Sequence, residues 1–191
     1  MELLQRFFRY VHIYNPILEV EKVQGYARNL AFNGLAWDAK SCLLVSYIQA
    51  DHILVLRRDN HLLLQLLIYA LATISGPFPK VVLASSSSEF RRSEAFRRAE
   101  AYFLAAQKRM GPLLCSSGVI EAQCLFFGGV YLMMTLRPLE AWRVFVQAMA
   151  CSEGLFSSWG THLAQAEEKS SLKESIYWTC FKSELSVFTI R

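Results

Sequence analysis

Apolar residues recur at every third or fourth position along nearly the whole chain, and no stretch longer than a few residues alternates with the period of two that a half-buried strand requires. That pattern restricts the chain to packed helices. Leu3, Leu4, Phe7, Phe8, Val11 and Tyr14 fall on one face of a first helix. Asn15 and Pro16 then restart the chain, because Asn caps a helix and Pro suits its first position. Ile17, Val20, Val23, Tyr26, Ala27 and Leu30 give the face of a second helix, which Asn33 and Gly34 end. Beyond a loop carrying Pro77, Pro79 and the serines 85–88, one long helix is expected over roughly 88–110. Phe96, Ala99, Phe103, Ala106 and Met110 form its inner stripe; Arg91, Arg92, Arg97, Arg98, Glu100, Lys108 and Arg109 form its outer face; Gly111 and Pro112 stop it. Residues 117–135 are apolar on nearly every side, which predicts a central helix. Pro138 opens the next, with Leu139, Trp142, Phe145, Val146 and Met149 facing inward, and a last helix over about 172–185 shows Leu172, Ile176, Tyr177, Cys180, Phe181 and Leu185. The expected fold is all-α: antiparallel helices packed around a buried apolar helix, in one domain over 1–191. Phe103, Phe126, Tyr131, Trp142 and Phe145 are expected to share its core.

The balance of 53% apolar to 19% charged residues means that much of the chain must be buried, which raises the question of a bilayer. No apolar run approaches the roughly 20 residues a spanning helix needs. The longest stretches, 62–74 and 124–136, are interrupted by Gln65 in the first and by Gly128, Gly129 and Thr135 in the second, and read as core helices. Glu2, Arg6 and Arg9 break the opening residues, so no signal peptide is recognised. Five cysteines, Cys42, Cys115, Cys124, Cys151 and Cys180, lack paired spacing and sit in or beside apolar stretches, as buried thiols of a reducing compartment do.

No residues take the spacing that chemistry would need. Cys115 and Cys124, like His52 and His61, are nine residues apart, too far to begin a zinc tetrahedron from one short turn. The serines 85–88 have neither flanking glycines nor a nearby histidine, so no activated nucleophile is expected. Gly128-Gly129 lacks the third glycine and preceding strand of a dinucleotide loop; inside an apolar helix, such a pair lets a neighbouring helix come close. The doublets Arg91-Arg92 and Arg97-Arg98 could form a positive stripe, but Glu89, Glu94 and Glu100 are spaced to pair with them, and the net charge is only +4. The chain is therefore expected to hold no catalytic, cofactor-binding, metal-binding or DNA-reading residues, and to be no enzyme.

Several segments in order resemble the fungal-specific transcription factor domain, the middle homology region of binuclear zinc-cluster regulators. They are Phe7-Phe8-Arg9-Tyr10-Val11-His12 with Asn15-Pro16-Ile17-Leu18, Ala101-Tyr102-Phe103 with Ala105-Ala106, Ala122-Gln123-Cys124, Gly129-Val130-Tyr131-Leu132-Met133, Arg137-Pro138-Leu139 with Ala141-Trp142, and Ile176-Tyr177-Trp178-Thr179-Cys180. The resemblance covers most of the chain; each motif is weak alone and the ordered set is fairly specific. It implies a nuclear regulatory domain that tunes transcription by RNA polymerase II through contacts with the transcriptional machinery or other regulator domains, in some cases by sensing a small-molecule effector. It implies neither membrane binding nor DNA reading by this chain. The family's six-cysteine zinc module is absent, since only six residues precede Phe7, and the chain stops at Arg191, short of where the family domain would continue.

A second departure lies at 45–65. Trp37 to Leu44 joined to Leu66 to Leu71 would read as one core helix, and Val45 to Gln65 intervenes with Asp51, Arg57, Arg58, Asp59 and Asn60. Burying those groups unpaired is costly, so the segment is expected to leave the core. Two origins fit: a genuine insertion, or a retained intron, since Val45-Ser46 can be encoded from a GT-A-AGT start and Gln65 by CAG. Two other functional classes stand beside the regulatory one. A tetratricopeptide-like scaffold would use the alanine-rich segments 101–110 and 141–150, although these are about 40 residues apart against roughly 34 in that repeat. A peripheral membrane protein would use the apolar 62–74 stretch.

Overall fold

The computed structural model describes residues 2–33, 52–76, 87–115, 117–157 and 167–189. They form α1 (Glu2–Tyr10), α2 (Val20–Asn33), α3 (His52–Ile74), α4 (Ser87–Arg92), α5 (Glu94–Gln107), α6 (Val119–Met134), α7 (Pro138–Ser157) and α8 (Glu167–Thr189), with 3₁₀ turns at His12–Tyr14 and Gly111–Cys115 and no strand among the described residues. The fold is all-α.

The apolar run predicted to be central is α6, and the unbroken stretch from Ala122 to Gly129 is buried, so neighbours cover every side of it. α7, α3 and α8 supply those neighbours, and α3 packs in turn against α1, α2 and α5. Close approach is possible because Gly128 and Gly129 leave the helix backbone bare. A methyl group at Gly129 would stand 2.6 Å from Phe145 Cε1, and one at Gly128 would stand 2.7 Å from Met110 Cε. The one polar side chain fully enclosed within this run, Gln123, donates from Nε2 to the Ile17 carbonyl at 2.6 Å, which ties the N-terminal stretch to the centre. On α1, Leu4 and Phe7 are buried and Phe7 meets Phe127 edge-on at 5.4 Å. Arg6 Nη2 donates to the Ser75 carbonyl at 2.6 Å, placing a cation at the C-terminal end of α3, where the exposed carbonyls favour it.

Several expectations are corrected. The single helix over 88–110 is two, because Ser93 turns extended and its Oγ accepts from Phe96 N–H at 3.1 Å, so a local cap wins over helix continuation. α1 ends at Tyr10, and Tyr14, expected on its inner face, is 70% exposed. α2 starts at Val20, not at Pro16; Ile17 and Leu18 are buried from an extended approach. In α7 the buried residues are Ala141, Phe145, Ala148, Cys151 and Ser152, while Leu139 and Val146 are exposed. Leu185, expected on the inner face of α8, is also exposed.

The segment 45–65 does not leave the core along its whole length. α3 runs unbroken through the junction at Gln65 and Leu66, and Leu63, Leu64 and Gln65 are as buried as Leu66 and Leu67. Residues 34–51, including the expected helix from Trp37 to Leu44, lie outside the described residues. The groups expected to conflict with burial, Asp51, Arg57, Arg58, Asp59 and Asn60, have side chains outside the described set. Within the same segment Gln65 is 1% exposed, and neither its Nε2 nor its Oε1 has a hydrogen-bond partner.

An unsatisfied buried amide costs roughly 1–3 kcal/mol, so Gln65→Met, which keeps the shape and removes the polar atoms, should raise the urea midpoint of unfolding. At the glycine pair the two alanine variants should separate. Gly129→Ala drives a methyl into the buried Phe145 ring, against three of its carbons at under 3 Å, and should cost about 2–3 kcal/mol. Gly128→Ala meets the flexible end of Met110 and should cost less than half as much. Equal unfolding midpoints for the two would refute the tight seam.

Candidate functional site

Two features stand out where α6 ends. The first is a polar corner. After Thr135 the chain closes α6 with two capping bonds, Leu136 N–H to the Met133 carbonyl at 3.1 Å and Arg137 N–H to the Leu132 carbonyl at 2.9 Å. The arrangement needs a left-handed residue, and Leu136 supplies it at φ 59° where glycine is usual. It aims Arg137 back over the domain. Its guanidinium makes paired bonds to Glu100 at 3.1 and 3.0 Å and donates from Nε to Thr135 Oγ1 at 3.0 Å. It also lies over the Phe103 ring at 5.2 Å, and that ring stacks on Tyr131 at 4.3 Å. Tyr131 O–H donates to the same carboxylate at 2.7 Å. Burial, then the bond to Glu100 and its negative charge, push the Tyr131 phenol far up, so it stays protonated as a donor. The corner thus fastens α5 to the α6–α7 turn and is satisfied within itself.

The second is a groove of about 450 Å³ beside the same end of α6. Phe126, Val130, Met133 and Phe145 supply its apolar side, and Tyr14 and Asn15 from the first 3₁₀ turn border it. From α8 come Ser175, Trp178, Thr179, Lys182, Ser183 and Ser186, which recur every three or four residues and so form one face. Thr179 and Ser186 spend their protons on backbone carbonyls one turn earlier, at 2.6 and 2.7 Å. Trp178 is 61% exposed and Tyr14 more so, an unusual position for large aromatic side chains. Such a volume, with an apolar side and a few polar groups, is the form small-molecule sites take.

The residues expected to share a core are distributed around these two features. Phe103 and Tyr131 are buried in the corner, whereas Phe126 and Phe145 are buried beneath the groove and touch each other at 5.8 Å. Trp142 is half-buried against the same cluster, and its indole N–H donates to Glu184 Oε1 at 3.3 Å. The arginine stripe departs from expectation. Arg91, Arg92, Arg97 and Arg98 are exposed and Arg98 pairs with Glu94 at 2.7 Å, but Glu100 turns inward to Arg137 and neutralises none of them. Cys124, Cys151 and Cys180 are buried thiols; burial raises all three, Cys180 to about 12, which leaves little nucleophilic thiolate. Among the described residues no group of three or more His, Cys, Asp or Glu side chains could hold a metal ion, and no helix is long and apolar enough to cross a membrane. Sequence reasoning missed the groove. The period of Ser175, Thr179, Ser183 and Ser186, on the face beside the buried Ile176 and Cys180, was the available signal.

Glu100→Gln should cost about 2 kcal/mol in chemical unfolding, the scale of hydrogen bonds to an ionised group, because it weakens three donors at once. Tyr131 has a folded pKa above its unfolded value near 10, so it favours the folded state below that pH and the contribution fades as pH rises beyond it. Tyr131→Phe should therefore flatten the alkaline loss of stability above about pH 10; an unchanged alkaline limb would refute the phenol's burial. Compared with known proteins, the chain matches no protein-family model, no curated protein and no solved structure.

Proposed function

We propose that this chain is a regulatory, non-catalytic helical domain whose working surface is the groove between the end of α6, α8 and the first 3₁₀ turn, and that it acts in the nucleus as the resemblance to fungal zinc-cluster regulators implies. The observation that carries the reading is the groove itself: apolar on one side, hydroxyl-rich on the other, edged by exposed Tyr14 and Trp178, and set against a tightly packed core. Its position suits regulation. Its wall includes residues of α6 and α7 as well as α8, so an occupant that bound one arrangement of these helices better than another would shift the population between them. The domain would tune transcription through contacts with the transcriptional machinery or another regulator domain. The solenoid alternative is disfavoured by packing, because stacked repeats touch only their neighbours, whereas α3 meets α1, α2, α5 and α6.

Fused to a heterologous DNA-binding domain in a yeast reporter strain, the chain should change reporter output severalfold relative to the DNA-binding domain alone. Ser183→Trp, which fills the groove from a half-buried position, should alter that output while leaving the thermal midpoint within a few degrees of the parent. No effect of the chain on the reporter would sink the transcriptional reading; an effect indifferent to Ser183→Trp would remove the groove from it. In gel-shift assays the unfused chain should bind DNA only weakly, without sequence preference, and less as salt rises, because any attraction comes from exposed arginines meeting phosphates. Salt-resistant, sequence-selective binding would contradict the proposal.

A further inference from the structure

Resting on the groove as the working site, we infer that its occupant is a small amphipathic anion: an aromatic or aliphatic body ending in a carboxylate, sulfonate or similar acid. Three observations converge on that class. The groove's described lining contains one charged side chain, Lys182, and no Asp or Glu. The hydroxyls of Ser175 and Ser183, on the same face of α8, donate to nothing among the described residues, so their protons remain available to an acceptor-rich group. Opposite them the surface is apolar and bordered by two exposed aromatic rings, Trp178 and Tyr14, which suit an apolar body by stacking and burial.

The charge contrast with the neighbouring surface is local. Trp178 also borders a second hollow of about 470 Å³, where the acids Glu153 and Glu174 stand beside Tyr177. An anion would be repelled there and attracted to Lys182. A neutral apolar molecule would be indifferent to the charge at either rim, and a cation would prefer the acidic one. The volume near 450 Å³ limits the occupant to a molecule of small-ligand size.

Two dyes of nearly the same skeleton test this with the whole chain: anilinonaphthalene sulfonate, which is anionic, and phenylnaphthylamine, which is neutral. Both brighten on entering an apolar site. The anionic dye should bind more tightly than the neutral one to protein whose cooperative unfolding shows it to be folded. Lys182→Gln should weaken the anionic dye by roughly two- to fivefold, the range for an exposed charge pair, and leave the neutral dye unchanged. Lys108→Gln, which removes a charge just past the end of α5 from a residue that does not line the groove, should change neither. Ser183→Trp should weaken both. If both dyes bind alike and Lys182→Gln affects neither, the anion assignment is overturned while the groove survives as an apolar site. If Ser183→Trp leaves both affinities intact, or if neither dye binds, the groove reading itself falls. A stable dimer by light scattering that Ser183→Trp disrupts would give the groove to a second copy of the chain and overturn the small-ligand inference.

Discussion

The arrangement of the helices depends on how closely Phe145 and Met110 approach the bare backbone of α6 at Gly128 and Gly129. A helix whose surface is apolar all round gains little by choosing one neighbour over another, because burial rewards area without regard to direction. Two adjacent residues without side chains break that symmetry. At Gly129 the Phe145 ring of α7 lies where a methyl group would stand, and along α7 Ala141, Phe145, Ala148 and Ser152 are buried while the larger Leu139 and Val146 are exposed. With that seam set, the remaining surface of α6 is left to α3 and α8.

Directional contacts then fix what apolar packing leaves loose. Gln123 reaches the Ile17 carbonyl from inside the central helix, Arg6 reaches the carbonyl that follows α3, and Arg137 grips Glu100 while stacked against Phe103 and Tyr131. Each joins segments distant in sequence, and each would leave a poorly solvated polar group if its partner moved, so a shifted register is penalised more than it would be in a purely apolar contact. Gln65 is the exception. It sits in the core of α3 with both amide atoms unsatisfied, inside the segment whose polarity already set it apart from its surroundings.

The groove follows from the same geometry. On α8, Ile176 and Cys180 turn inward and Val187 is buried near its end, while the hydroxyl face bearing Lys182 borders a hollow that the apolar side chains of α6 and α7 do not fill. Serine and threonine are too short to close that gap, and two of them have already turned their protons to their own backbone. What remains is a recess with an apolar side, a donor-bearing side and aromatic rims, next to the tightest part of the core. A rigid floor beneath a recess lets small differences in an occupant be felt by the helices that form it.

Periodicity alone determined that the fold is all-α, that residues 117–135 would be central, and that Phe103, Phe126, Tyr131 and Phe145 would be buried, though Trp142, expected beside them, is only half-buried; those outcomes depend on spacing along a single helix. It also marked the glycine pair as a place of close approach and the 45–65 segment as a source of conflict. Only the tertiary structure decided the rest. Ser93 capped α5 where the apolar spacing ran on, since a local side-chain bond can outweigh a continuing stripe. Glu100 left its neighbouring arginines for Arg137, a partner on another element that no spacing rule connects to it. Tyr14, which continues the apolar spacing of the first segment, and Trp178, which lies off the apolar stripe of α8, became the rim of a groove because the segments facing them come from distant parts of the chain, and exposure depends on what arrives opposite a side chain as much as on what that side chain is.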